Sequence, residues 1–454
     1  MSLQWSRRTC TRLLSRFNEI ISPKVLAVFF VFIIIFGLRY PINVQGFPTV
    51  SDHNFHIHVI TSGLKFPTTM DFLGPDDILV LEKDNGTVRR VLSGQLLTQP
   101  VLDISVANKF DRGMLGIAVS RIQGEDAGKK NIYVFVYLTE SQKEGSDHCL
   151  SWRSCLKGGE PEGNRLYRYK WDGQKLIEPK LLLDLPAVPG PAHNGGSLLI
   201  GADDNVYLVT GDLRFPNKIS QNVKDGLPAD GTSGIIRITQ DGSPVGKAIL
   251  DKEYPLNLYY AYGIRNSFGM DFDPVTGNLW DTENGYLFGD EINLVKPGFN
   301  SGWAKVQGIW NIDELDEYGV DTVNQGQTTL NPQGLVNFGG KGKYSNPELI
   351  WNKTIGITSL RFINSDKLGM EYKNDMLVGD YYGNIYHFEL NKNRKNFSDR
   401  EQILDRIVNA STGRNVFASG FDAVTDIKIG PDGYPYVLSF YNGTIYRISP
   451  NSAH

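Results

Sequence analysis

Residues 424–448 read VTDIKIGPDGYPYVLSFYNGTIYRI, and this stretch decides the fold class. Short apolar runs are broken by GPDG and YNG, the marks of strands joined by tight hairpin turns and not of helices. The same phrase recurs upstream. It reads MDFLGPDDILVLEKDNGTVRRV from Met70, LGIAVSRIQGEDAGKKNIYVFVYL from Leu115, SLLIGADDNVYLVTGD from Ser197, GMDFDPVTGNLWDTENG from Gly269 and KNDMLVGDYYGNIYHFEL from Lys373. A unit of this kind cannot bury its apolar face alone, and repetition around a ring solves that problem. The expectation is therefore an all-β, six-bladed β-propeller over residues 53–450. A β-helix or a sandwich assembled from the same hairpins is the alternative. Uneven spacing between the copies assigns long connections to 139–163, 213–232 and 304–346.

Composition agrees with this reading: the 454 residues include 48 Gly, 22 Pro, 21 Tyr and 23 Phe, a vocabulary of turns and strands. Upstream of the repeats the chain changes character. Residues 1–24 carry Arg7, Arg8, Arg12, Arg16 and Lys24 against Glu19 alone, and the uncharged run VLAVFFVFIIIFGL follows from Val25 to Leu38. A basic flank before an apolar run without an A-x-A-like cleavage site predicts a cytoplasmic segment at 1–24, an N-terminal transmembrane signal anchor at 25–40 and a linker at 41–52. A cleaved signal peptide and a buried helix are the competing readings. On the anchor reading the protein is held to the membrane by that helix, with its propeller extracellular.

The first 40 residues hold six of the chain's 46 Lys and Arg and one of its 50 Asp and Glu, so the remainder carries a formal charge of −9. Such a surface excludes nucleic acid as a partner. Of the three cysteines, Cys149 and Cys155 fall in the expected external part, close enough to suggest a disulfide across a loop. A metal site there has only His148 to help. Sequons at Asn85, Asn352, Asn396, Asn409 and Asn442 suit external turns.

Three segments concentrate candidate chemistry. His193 opens the glycine-rich HNGG before a strand, where a neutral-pH base can meet a ligand, although an imidazole with a structural role is the plainer reading. Arg265 and Asn266 lie in YAYGIRNSFG; the guanidinium suits a carboxylate or a developing oxyanion, or else a structural ion pair. Asp281, Glu283, Asp290 and Glu291 crowd DTENGYLFGDEIN, a set rich in the oxygen ligands calcium takes, or else an acidic solvated surface.

Taken together, RGMLGIAV at 112–119, HNGGSLLIGADDNVYLVTGD at 193–212 and YAYGIRNSFGMDFDPVTGNLWDTENG followed by GDEINLVKPGFNSGW up to Trp303 resemble the glucose/sorbosone dehydrogenase family. The resemblance runs roughly from Leu64 to Ser449. It implies a six-bladed propeller carrying pyrroloquinoline quinone (PQQ) and calcium. It further implies an aldose or related polyol as substrate, oxidised at the cell exterior with the hydride passing to the quinone, and an external or membrane electron acceptor. His193 would be the catalytic base, Arg265 and Asn266 would lie beside the quinone oxygens, and the backbone carbonyls of Gly285 and Tyr286 would hold the calcium, with Asp290 and Glu291 as acidic neighbours for an ion. Asp111 stands where the family commonly has a cofactor-facing Gln, Ile264 where it has His, and Tyr286 where it has Pro. WNKTIGITSLRF at 351–362 and GDYYGN at 379–384 do not match the cations that grip the cofactor carboxylates in the glucose enzyme; Lys353 and Arg361 are nearby but have no assigned place in the site. A noncatalytic extracellular propeller that binds a glycan or a protein is the alternative function, and a calcium-dependent hydrolase a third, though no G-x-S-x-G stands in the chain.

Overall fold

The computed structural model describes residues 46–123, 130–142, 160–214, 221–222, 228–312, 325–398, 407–408 and 415–451. The anchor expected at 25–40, the cysteine pair at 149 and 155 and the sequon at Asn409 lie outside the described residues. Among the described residues no helix is long and apolar enough to cross a membrane.

Antiparallel sheets follow one another along the chain and make a β-propeller. In chain order their innermost strands are Pro67–Gly74, Met114–Gln123, Leu198–Ile200, Met270–Phe272, Ile357–Phe362 and Val424–Ile429, each beginning a sheet that runs outward by hairpins. These strands pack in a closed cycle, the last against the first. Chain order is broken where the ring closes: Phe55–Thr61 pairs with Thr444–Pro450 and completes the sheet begun at Val424, so the start of the ring is tied to its end. Val306–Gln307, Trp310–Ile312 and Gln325–Thr328 form a separate three-stranded sheet in the long connection anticipated at 304–346. The strand Thr49–Val50 corrects the linker reading of 41–52, because it pairs with Ala418 and Ser419 on the sheet begun at Ile357.

An apolar core lies between each pair of neighbouring sheets, as ring packing demands of strands buried on both faces. Trp280 and Trp351 occupy one of these cores and are fully buried. The repeated sequence explains the joints. The aspartates of the two MDF copies and of VTDIKI each accept a backbone N–H from the next inner strand: Asp71 from Val119 at 2.7 Å, Asp271 from Phe362 at 2.9 Å and Asp426 from Met70 at 3.0 Å. Turns repeat as well. In GADDNVY and GPDGYPY the turn aspartate accepts the hydroxyl of a tyrosine four residues on, Asp203 from Tyr207 and Asp432 from Tyr436, both at 3.0 Å.

Two kinds of loop open on one face: those preceding each inner strand and those joining a sheet's second strand to its third. His193, Arg265 and Asp111 come from the first kind; Asp212, the 284–289 turn and Tyr381 come from the second.

Candidate active site

His193 sits in the left-handed region, with φ 59°, a conformation costly for any side-chain-bearing residue and maintained here by its neighbours. Its backbone N–H donates to Asp111 Oδ2 at 2.7 Å, and its ring Nδ1 lies 2.6 Å from Asp212 Oδ1. Asp212 is fully buried and also accepts the indole N–H of Trp303 at 2.7 Å and the backbone N–H of Arg214 at 2.8 Å. Burial alone would raise the Asp212 carboxyl, but the charges of His193 and Arg265 and the hydrogen bonds of His193 and Trp303 leave it below the usual carboxylate range. An ionised Asp212 fixes the proton on Nδ1 and leaves Nε2 as the basic atom. Glycine is required nearby: a β-carbon on Gly211 would collide with the His193 carbonyl, and one on Gly195, whose φ is 70°, with the Val209 carbonyl.

Arg265 is 7% exposed, with its guanidinium centred 5.4 Å from the Trp303 ring and Nη1 donating to the Asn284 carbonyl at 2.9 Å. Burial pushes it below its ordinary value, opposed by Asp212, Asp290, Glu283 and Asp111. Its backbone N–H donates to Glu283 Oε1 at 2.6 Å, and its carbonyl accepts the Asp212 N–H at 2.9 Å, so the Arg265 loop is bonded to the loop that carries Asp212. Asn266 ties it to the His193 loop as well by accepting the Gly195 N–H at 3.1 Å. The structure thus brings His193, Arg265, Asn266 and Asp111 into one constellation. Asp212, Trp303 and Asn284 complete it; none was singled out from sequence, although Asp212 and Trp303 end the quoted VTGD and GFNSGW segments.

The acidic segment departs from expectation. Asp281, Glu283, Asp290 and Glu291 are all buried, which rules out the solvated-surface reading. Asp290 accepts three backbone N–H groups, from Gly285 at 2.8 Å, Ile355 at 2.7 Å and Gly356 at 2.8 Å, and thereby ties the 284–289 turn to the next inner strand. Glu291 accepts from Gly308 N and from Gln307 Nε2 at 3.0 Å. Oxygens that already face amide protons suit a carboxylate and repel a cation, which corrects the assignment of Asp290 and Glu291 as metal ligands. Among the described residues no group of three or more His, Cys, Asp or Glu side chains is placed to hold a metal. Tyr286 turns its ring to the apolar cluster of Phe288, Ile309 and Trp310. Burial raises Glu283 to about 7, against hydrogen bonds from Arg265 and Ser301.

A central cavity of about 590 Å³ adjoins this constellation through Asp111, Gly195 and Gly196. Its wall contains Phe66, Phe268 and Phe440 together with Lys83, Arg361 and Lys428. Lys83 Nζ rests on Asp84 at 2.7 Å and Arg361 on Asp271 at 3.0 Å. Flat apolar walls with cations among them fit a planar, multiply carboxylated ring system. Arg361 belongs to the sheet that holds 379–384, whereas Lys83 and Lys428 come from two other sheets, and Lys353 is exposed and outside the cavity.

The sequence model of the Glucose / Sorbosone dehydrogenase family matches residues 64–447. The chain is 28% identical over 291 residues to quinoprotein glucose dehydrogenase B of Acinetobacter calcoaceticus, covering 59% of this chain and 56% of that protein. It is 23% identical over 405 residues to the aldose sugar dehydrogenase YliI of Escherichia coli, covering 87% and 93%. The PQQ-bound aldose sugar dehydrogenase of Streptomyces coelicolor superposes with a TM-score of 0.59 at 17% identity, over 89% of this chain and all of that one.

Proposed function

The chain belongs to the glucose/sorbosone dehydrogenase family, and from that premise we propose that it is a PQQ-dependent dehydrogenase that oxidises an aldose or related polyol at the C1 hydroxyl, with His193 as the base. The observation that carries this reading is the His193–Asp212 pair, 2.6 Å apart, beside a buried guanidinium and a cavity of the right chemistry. PQQ, when bound, supplies the two-electron acceptor chemistry that no side chain can. The chain supplies the rest. Nε2 of His193 takes the hydroxyl proton, Asp212 steadies the imidazolium that results, and Trp303 holds Asp212 in place. Arg265 and Asn266 would meet the negative charge that develops on the acceptor, and Arg265 could stabilise it because its own position is fixed by Asn284 and Trp303.

Lys83, Arg361 and Lys428 are the side chains we assign to the cofactor's carboxylates, on the strength of their place in the cavity wall. Asp111 stays near the cofactor as a cavity residue, but its carboxylate serves His193 first. For calcium, the carbonyls of Gly285 and Tyr286 remain our proposed ligands, next to an Asn284 carbonyl already engaged by Arg265. The closed cycle of inner strands supports reading the ring as six-bladed. The basic flank and apolar run at 1–40 support a signal anchor that leaves the propeller outside the cell, with an external or membrane electron acceptor.

Purified full-length protein loaded with PQQ, with and without calcium, is to be tested for dye reduction by a panel of aldoses. Sugar-dependent reduction that requires PQQ is the expected result. Absence of PQQ binding would turn the reading to a noncatalytic propeller.

A further inference from the structure

The face that opens on the cavity also gathers the exposed rings. Among the described residues six Phe and Tyr side chains are exposed, and five of them, Phe47, Phe110, Tyr381, Tyr382 and Tyr441, stand on this face, while Tyr254 lies at the opposite end of its sheet. Leu287, in the 284–289 turn, joins them at 65% exposed. The chemistry of His193 uses none of these side chains. Tyr381 is bonded hydroxyl to hydroxyl with Tyr441, and its ring stands at 81° to those of both Tyr382 and Tyr441. Rings so turned present edges and faces by turns, a surface suited to a soft medium that fills in around them and not to a flat ligand. Apolar groups massed on one face mark a surface that meets something other than water.

The chain enters the propeller on that same face. Thr49–Val50 runs antiparallel to Val416–Ser419 with Thr49 opposite Ser419, and beyond Ser419 lies the loop before the inner strand Val424–Ile429. Phe47 and Pro48 therefore emerge beside that loop: a β-carbon on Gly420 would stand 3.2 Å from the Pro48 Cα. Phe47 leaves 59% of its surface exposed. Six residues, 41–46, separate it from the end of the apolar run at Tyr40, and at full extension they reach about 25 Å. The inner strand Met114–Gln123 has ten residues and is about 33 Å long, so a tether of this length does not reach past the ring to offer its opposite face.

We infer that the mouth face docks on an anionic lipid bilayer, with Phe47, Phe110, Leu287, Tyr381, Tyr382 and Tyr441 in the headgroup region. This rests on the signal anchor proposed for 25–40 and goes beyond it by assigning the surface that meets the lipid. Three features select a bilayer over a protein. The tether is short and begins on this face. Its rings are tyrosines and phenylalanines, apolar bodies of which several carry a polar tip, the kind that concentrates where membrane meets water. Finally, Lys65, Lys109 and Lys353 are exposed on the loops of this face, cations placed for lipid phosphates on a chain that is otherwise acidic beyond residue 40.

The test uses full-length protein reconstituted into vesicles of phosphatidylcholine and phosphatidylglycerol, with part of the lipid brominated on its acyl chains to quench nearby tryptophan. Wild type is compared with Tyr382→Trp and with Met370→Trp, the latter replacing a side chain that is 69% exposed at the opposite end of the ring. The emission added by Tyr382→Trp should be largely lost to the brominated lipid, and that added by Met370→Trp should not. Lys65→Glu/Lys109→Glu/Lys353→Glu in the Tyr382→Trp background, or omission of phosphatidylglycerol, should restore most of the lost emission; quenching that ignores both changes overturns the anionic-lipid assignment. Protein that floats with the vesicles while Tyr382→Trp stays unquenched, or is quenched no more than Met370→Trp, overturns the inference and leaves the anchor standing. Protein that does not float overturns both. An unquenched Tyr382→Trp whose emission shifts to the blue as protein is crowded on the vesicle gives the face to a second copy of this chain. Sugar oxidation by the detergent-solubilised protein reports on the dehydrogenase reading separately from all of these.

Discussion

The two walls of the propeller's mouth are built on opposite principles. The His193–Arg265 wall is polar and buried: Asp212, Arg265, Asn266 and Glu283 exchange hydrogen bonds until little freedom remains. The wall from Phe66 to Tyr382 is aromatic and open, its rings fixed to each other more than to the core. The difference teaches how one ring of similar sheets can hold a rigid polar wall beside an open aromatic one. A proton-transfer site needs atoms held to a fraction of an ångström, which burial and charge pairing provide, while a surface that grips by area tolerates exposure.

This contrast can be broken experimentally. The largest expected effect is on the polar wall. Arg265→Ala removes the one guanidinium among Asp212, Glu283 and Asp290 and should cost about 3–5 kcal/mol in urea unfolding, together with all turnover. A stable, active variant would mean that the charges on this wall are not mutually dependent. Next comes Asp111→Ala, which leaves the His193 N–H without its acceptor. Turnover should drop roughly tenfold with KM little changed, and Asp111→Asn, which keeps an acceptor, should recover most of it. Equal losses in both variants would mean that the carboxylate charge matters and not the bond.

The third effect depends on pH. Glu283 is raised from its ordinary value to about 7, so its protonated form is favoured in the folded protein. Its contribution to stability is complete below the unfolded value near 4.5 and is lost as pH rises toward 7. Glu283→Gln should therefore flatten the fall of unfolding free energy across that window, by up to about 1.4 kcal/mol per pH unit. An unaltered slope would assign it to other buried acids. The smallest effect belongs to the aromatic wall: Tyr382→Ala should shift stability by less than about 0.5 kcal/mol, as expected of a ring with no structural duty.

How much of this was legible depends on where the information resides. Strands and turns are local, so the repeats at Met70, Ser197 and Val424 announced both the hairpins and the propeller they build. The loops that carry His193 and the Arg265–Asn266 pair were legible as glycine-containing turns before strands, while their meeting, made across 71 positions by Gly195 and Asn266, was not. The role of Asp111 was not, since it meets His193 across 82 positions. Asp290 and Glu291 misled for a related reason: a carboxylate's ligand is set by what folds over it, and here amide groups of Gly285, Ile355, Gly356 and Gly308 arrive first. Lys83 and Lys428 come to the cavity from different sheets and left no contiguous motif.

The central claim is that His193, polarised by Asp212, takes the substrate proton. It is tested most directly by single-turnover reduction of PQQ by an aldose, followed by absorbance in wild-type protein and in His193→Gln. The account predicts a rate lower by about 10²- to 10⁴-fold in the variant at unchanged sugar affinity. Equal rates in the two proteins would contradict it.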